Sequence, residues 1–304
     1  MWLFLVIKVG AWSSRVIPLS VRYRMAAVIA DFLWIIWASK RRNCIENLSV
    51  VLGKKPTDSE VRRVARRAFH QFGKGIVDFL GFTNIDPDDP LLSSIPIDGW
   101  EHIEAGLKSG KGVILASAHF GSMDLGGITL ANRVEGFYAV ADVFYPPYVD
   151  RLIRRTRESK GYRLIPATSA RRIIRTLQTN TLVGVLFDRP METGEGIPVR
   201  MFGRETALPA GVAVVAHHAG AAVVPAYIFR NEDNTFRGRA FPSITEDLSG
   251  DKKRDIQTVT QRLADSLEAA VREAPDQWYM FRQMWPAPAP EAEVARELHE
   301  APAG

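Results

Sequence analysis

The sequence predicts an α/β protein, a central and mostly parallel sheet flanked by helices, preceded by a helical N-terminal region. Two features carry this reading. From residue 100 onward, short apolar runs rich in Val, Ile and Leu alternate with windows of helical periodicity, the pattern of a sheet covered by helices. Some of those runs end in a titratable side chain, His119 and Asp188 above all, and open α/β sheets bind ligands beyond the carboxyl ends of their strands. At 304 residues the chain has room for one large domain plus an added element.

Hydrophobic residues make up 46% and charged residues 24%, as in ordinary globular proteins. The net charge is +5, carried mostly by arginine, which suits an anionic membrane surface, a phosphorylated substrate or nucleic acid. A single cysteine, Cys44, excludes an internal disulfide and a cysteine-based metal site.

Residues 1–98 read as a helical, membrane-associating region. Residues 25–38 (MAAVIADFLWIIWA) are apolar except for Asp31 and are soon followed by Lys40-Arg41-Arg42. Fourteen residues fall short of the roughly 20 needed to cross a hydrocarbon core. Neither a charged flank before Trp2 nor a small-residue cleavage site marks a secretory signal. Trp34 and Trp37 beside a basic cluster fit a segment lying in the membrane interface. A buried core helix fits equally well on length, and one face packed with the other wet by lipid combines the two.

Thr57-Asp58-Ser59-Glu60 reads as a capping box opening a helix to about Phe82. Val61, Val64, Ala65, Ala68, Phe69, Phe72, Ile76 and Leu80 form its apolar stripe, with Arg62, Arg63, Arg66 and Arg67 mostly off it. A loop rich in Asp and Pro at 84–96 leads to the α/β core, residues 99–285. Strands are expected at 113–118, 136–143, 162–166, 181–188 and 222–229. Helices are expected at 101–109, 122–132, 147–160, 168–178, 208–219 and 254–273. Residues 286–304 alternate Pro and Ala, then turn acidic, and read as a disordered tail.

The most informative stretch is Val113 to Asp124. An apolar strand runs into His119, crosses Gly121 and meets Ser122, a candidate N-cap that places Asp124 in a helix's first turn. A histidine held by an aspartate is the minimum equipment for taking a proton from a hydroxyl near neutral pH. The same residues also fit a buried histidine satisfied by a nearby acid. Arginines crowd residues 151–175; most belong to a solvated face, and one or two near a strand end would grip a phosphate. Asp188-Arg189 reads as an ion pair at a strand end. Residues 190–204, with Glu192, Glu195 and the turn Met201-Phe202-Gly203-Arg204, read as a loop bordering a cleft. No metal-ligand cluster is apparent, so catalysis is expected without metal or other cofactor. A Gly-X-Ser-X-Gly elbow is missing, which counts against an α/β-hydrolase. No nucleic-acid module or aromatic-basic stacking run is recognisable, so nucleic acid ranks low as a partner.

Together these pieces resemble the bacterial acyltransferases of lipid A biosynthesis, the lauroyl/myristoyl acyltransferase family, which includes the phosphatidylinositol mannoside acyltransferases of actinobacteria. Arg41-Arg42-Asn43 with Asn47-Leu48 looks like the family's opening, and His119-Phe120-Gly121-Ser122-Met123-Asp124 like its HX4D/E motif. Asp150 followed by Arg157 fits its basic helix, and Phe187-Asp188-Arg189 its strand end. Phe202-Gly203 with Leu208-Pro209-Ala210-Gly211 fits its FG…PAG segment, and Ala274-Pro275-Asp276-Gln277-Trp278-Tyr279 its closing block. The chain departs at one place: where many members read Asp-X-Asp, it has Asp188-Arg189-Pro190. An Asp rather than a Glu in the motif leans towards the phosphatidylinositol mannoside branch.

The resemblance implies transfer of a fatty acyl group from acyl-CoA or acyl carrier protein to a hydroxyl of a glycolipid or phospholipid. The expected place is the cytoplasmic face of a bacterial inner membrane, reached by peripheral or monotopic attachment to an anionic surface, with no obligate protein partner. His119 is expected to act as general base, with Asp124 fixing its tautomer. Arg157, Asp188, Arg189, Glu192, Gly203 and Arg204 are expected to contact substrate. A thioesterase, or a membrane-docking relative without catalysis, are the alternatives.

Overall fold

The computed structural model describes residues 10, 12–82, 84, 95–191 and 195–285. Glu192, most of the 84–96 loop and the expected tail at 286–304 lie outside the described residues.

After a short helical stretch at residues 12–16, three helices follow: α1 (Leu19–Ile36), α2 (Ala38–Leu52) and α3 (Ser59–Phe82). Trp37, at φ −89° and ψ 60°, breaks α1 from α2. Gly53, in the left-handed region at φ 63°, closes α2 in the manner of glycine caps. The cap of α3 is Asp58, whose carboxylate accepts from the Glu60 amide at 2.8 Å, one residue later than the expected Thr57. Along α3 the predicted apolar stripe is buried at Val61, Val64, Ala65, Ala68 and Phe69. Helix α1 packs against it closely: a Cβ on Gly73 would lie 3.3 Å from the Ala26 carbonyl oxygen. Tyr23, Ala26 and Ala30 are buried there, while Val28, Ile29, Phe32, Ile35 and Ile36 remain exposed. The apolar segment therefore has one packed face and one uncovered apolar face. No described helix is long and apolar enough to cross a membrane.

A seven-stranded sheet follows, ordered β1-β9-β8-β2-β5-β3-β4. Its parallel heart joins β8 (Ala222–Arg230), β2 (Val113–Ser117), β5 (Leu182–Leu186), β3 (Tyr138–Ala141) and β4 (Arg163–Pro166). All five were expected from their apolar runs. Strands β1 (Ile97–Asp98) and β9 (Phe236–Ala240) were not, and β9 runs antiparallel to β8. Strand β2 shows how the sheet is covered. Ile114 and Ala116 join the core formed with α3, α7 (Ala170–Leu177), α8 (Gly211–Ala219) and α9 (Lys252–Glu273), whereas Val113 and Leu115 face α4 (Trp100–Lys108) and α5 (Met123–Arg133). The remaining helix, α6 (Pro147–Glu158), precedes β4.

The stretch expected as a loop at 190–204 is in good part a hairpin, β6 (Ile197–Met201) and β7 (Arg204–Leu208), so the helix expected from 208 begins only at Gly211. The N-terminal helices are tied to the sheet by a buried polar junction. Arg230 at the end of β8 pairs with Asp78 of α3, and Tyr23 of α1 donates to the same carboxylate at 2.6 Å.

Candidate active site

Adjacent parallel strands deliver the central pair. Strands β2 and β5 run in register from Val113 opposite Leu182 to Ser117 opposite Leu186. Two residues further along each chain come His119 and Asp188. The His119 imidazole donates from Nδ1 to Asp188 Oδ1 at 2.7 Å, and the His119 amide donates to Oδ2 at 3.0 Å. The Trp278 indole donates the carboxylate's third hydrogen bond, to Oδ2 at 3.1 Å. Asp188 is fully buried. Burial by itself would raise its carboxyl, but the adjacent imidazole's charge and these three donors outweigh burial and hold it below the usual carboxylate value. A carboxylate on Nδ1 fixes the tautomer and leaves Nε2 as the basic nitrogen.

The carboxylate that holds His119 is therefore Asp188 and not the expected Asp124. Asp124 makes no hydrogen bond to His119; its Oδ1 accepts from Arg157 Nε at 2.8 Å. Nor does Asp188 pair with Arg189, which instead reaches Asp142. The physical reason is orientation: the strand end points Asp188 inward beneath the imidazole, while Asp124, on the first turn of α5, faces the last turn of α6. Ser122 occupies the N-cap position of α5 but makes no side-chain cap, so the first-turn amides of that helix are left without a side-chain acceptor from it.

The loop carrying His119 is pinned from the C-terminal side. Tyr279 donates its amide to the His119 carbonyl at 2.8 Å, and the Gly121 amide donates to the Gln277 carbonyl at 2.9 Å. Gln277 is itself clamped to β8, donating from Nε2 to the Arg230 carbonyl at 2.7 Å and accepting from the Arg230 amide at 2.8 Å. Gly121 has φ +55°, and a Cβ there would come within 1.7 Å of the Ile228 carbonyl oxygen. Only glycine fits. The block at 274–279, noticed in the sequence only through the family resemblance, is thus the strap that seats the imidazole.

Arg157 stands across the cleft. Burial opposes its charge, but the Asp124 carboxylate beside it outweighs burial and keeps the guanidinium firmly protonated. Tyr162 braces the pair from below, donating from its hydroxyl to the Asp124 carbonyl at 2.7 Å. His119, Asp124, Arg157 and Arg189 all line one cavity of about 700 Å³. Its buried lining is mostly apolar, with Ile114, Ile173, Val212 and Val215, and Phe72, Ile76 and Phe79 of α3 form another wall. Gly203 and Arg204 are not among the residues lining it. They belong to the β6–β7 turn, beside Phe202, which packs on Trp285.

Comparison with known proteins bears on the chemistry. Residues 1–286 match the family described as bacterial lipid A biosynthesis acyltransferase. Among curated proteins, the phosphatidylinositol mannoside acyltransferase of Mycolicibacterium smegmatis is 27% identical over 246 residues, covering 79% of this chain and 77% of that protein. The protein of the same name from Mycobacterium tuberculosis H37Rv is 29% identical over 205 residues, covering 66% of this chain and 63% of the relative.

Proposed function

The chain belongs to the bacterial lipid A biosynthesis acyltransferase family, and from that premise we propose that it moves a fatty acyl group from a thioester donor, acyl-CoA or acyl carrier protein, to a glycolipid hydroxyl. One observation carries the reading. His119 is oriented by a buried, ionised Asp188 at the polar edge of a cleft with an apolar interior. The acyl chain lies along Ile114, Ile173, Val212 and Val215, with its thioester carbonyl near the imidazole. Nε2 of His119 takes the proton of the acceptor hydroxyl as the hydroxyl oxygen attacks the carbonyl carbon. The tetrahedral oxyanion is met by Arg157 and by first-turn amides of α5. When it collapses, the carbon–sulfur bond breaks and the imidazolium returns the proton to the departing thiolate. Asp188 stabilises the imidazolium between those two transfers, as the aspartate of a triad does, and the acceptor itself replaces the enzyme nucleophile.

The relatives favour a phosphatidylinositol mannoside-type acceptor over a lipid A precursor. Peripheral attachment to the membrane where such lipids reside is supported by the uncovered apolar face of α1. The test is to incubate the protein and its His119→Ala variant with labelled acyl-CoA or acyl carrier protein and a host lipid extract, and to identify new esters by mass spectrometry. The reading expects an acylated glycolipid with the parent and none with the variant. Free fatty acid without any acylated lipid would mean a thioesterase, and undiminished product from the variant would remove His119 from the chemistry.

A further inference from the structure

We propose that an arginine-lined hollow among the N-terminal helices, separate from the catalytic cleft, binds the phosphate of an anionic phospholipid headgroup. The hollow, about 810 Å³, is bordered by Trp34 and Ile45 and lined by Arg41, Arg62, Arg63, Arg66, Arg67 and His70. Its charge is far from balanced. Asp31 accepts from Arg66 and from His70, each at 2.7 Å, and Asp276 lies 3.3 Å from Arg67. Arg41 spends its Nη1 on the carbonyl oxygens of Trp34 and Ile35, at 2.5 and 3.1 Å. Among the described residues no salt bridge holds Arg62 or Arg63, and both are exposed.

The arrangement works against the helix that carries it. Arg62 with Arg66, and Arg63 with Arg67, are like-charge pairs one turn apart on α3, a spacing that destabilises a helix. A phosphate seated between them reverses the sign of that interaction, and guanidinium forks match its oxygens bidentately.

The neighbourhood identifies the source of the phosphate. The carbonyls that hold Arg41 are those of Trp34 and Ile35, so the hollow begins where the exposed apolar face of α1 ends, beside Phe32 and Ile35, which are 59% and 68% exposed. An anionic lipid presents that same sequence, apolar chains and then a phosphate, across the membrane interface. An acidic carrier protein satisfies the arginines but leaves the apolar face uncovered. Helix α3 also links the hollow to the cleft. Arg66 and Gly75, which lines the catalytic cavity, are nine residues apart on it, roughly 14 Å at helical rise. A headgroup held in the hollow therefore sets the height of the cleft above the lipid surface.

The experiment measures sedimentation of the full chain with vesicles of phosphatidylcholine alone or mixed with phosphatidylinositol. The variant Arg62→Gln/Arg63→Gln removes two charges without breaking an ion pair, and Arg171→Gln/Arg172→Gln, on the exposed face of α7, removes two elsewhere. The expected result is a loss of roughly 30-fold in partitioning to the phosphatidylinositol vesicles for the first variant, against less than about twofold for the second. Thermal melting of the first variant stays at or slightly above the parent's level, since two like-charge pairs are relieved, that of the second stays at the parent's level, and transfer from a short-chain acyl donor in detergent is unchanged in both. Equal losses from the two variants would reduce the arginines to a diffuse field and overturn the proposal. So would unchanged partitioning of the first variant, or a parent that ignores phosphatidylinositol. Loss of acyl carrier protein binding with vesicle binding intact would make the hollow a carrier-protein site instead.

Discussion

Replacing Asp188 by Asn removes a charge while keeping shape, and the local hydrogen bonds dictate what the new amide must do. Oδ2 accepts from two donors, the His119 amide and the Trp278 indole, whereas Oδ1 accepts only from the imidazole Nδ1. Placing the Asn NH2 at the Oδ2 position would orphan two buried donors, at about 1–3 kcal/mol each. At the Oδ1 position it meets Nδ1 alone, and the imidazole answers by moving its proton to Nε2. The second arrangement wins. It leaves the packing intact and puts the proton on Nε2, the nitrogen that the proposed mechanism uses as base. Acyl transfer should fall by about 10³–10⁴-fold, the scale of a wrong tautomer in a catalytic triad, with little change in apparent substrate affinity. The assay is thiol release from acyl-CoA with acceptor lipid present, with thermal melting as the control for folding. Asp124→Asn, which touches Arg157 and not His119, should lose only about tenfold, since one charge-assisted hydrogen bond becomes a neutral one. Loss from Asp124→Asn exceeding that from Asp188→Asn would refute the assignment of Asp188 as the partner of the base. A pH arm follows from linkage. The Asp188 carboxyl is held below its unfolded value of about 3.9, so its contribution to stability is full above that value and is lost as pH falls through the depressed folded value. The parent should therefore lose more stability across that acid window than Asp188→Asn does.

Arg157→Glu should lower the rate by about 100-fold or more, because it sets a carboxylate against Asp124 in the cleft, while Arg172→Glu on an exposed helix face should cost less than about twofold. Equal losses in steady-state rate would assign both arginines to a general field. Gly121→Ala should abolish soluble expression or lower the melting temperature steeply, since its Cβ would enter the space of the Ile228 carbonyl; a variant that melts like the parent would show that the His119 loop is not strapped as described. Arg230→Met leaves the Asp78 carboxylate buried without its cation and should cost about 3–5 kcal/mol in denaturant unfolding. The double variant Arg230→Met/Asp78→Leu should regain most of that, and no recovery would mean that the junction acts through shape rather than charge.

What the sequence made legible was whatever repeats within one element. The five parallel strands announced themselves as short apolar runs, and α3 as a stripe at helical spacing. The hairpin of β6 and β7 escaped because its turn carries the wrong signature. Phe202 and Gly203 both have positive φ, at 51° and 75°, a combination usually announced by Asn-Gly. Strand β9 escaped because Phe-Arg-Gly-Arg-Ala reads as a solvated basic run. In the fold Arg237 and Arg239 stack over Phe229, with 4.4 and 5.7 Å to the ring centre, and both pair with Glu273.

At the site the limit is of the same kind. His119 and its strand end were visible, but its partner was sought five residues away, because sequence spacing reports contacts within an element and not across a sheet. Asp188 lies 69 positions on, the constant offset at which β2 and β5 pair throughout their register. Once those strands are known to be neighbours the pair is forced, since residues at equal distances past two parallel strand ends emerge side by side. The strand order that makes β5 the neighbour of β2, past the intervening β3 and β4, is a product of global packing. The acid five residues away still matters, as the anchor of Arg157. One motif thus supplies the cleft's imidazole directly and its cationic side indirectly, and only the sheet's topology separates the two placements.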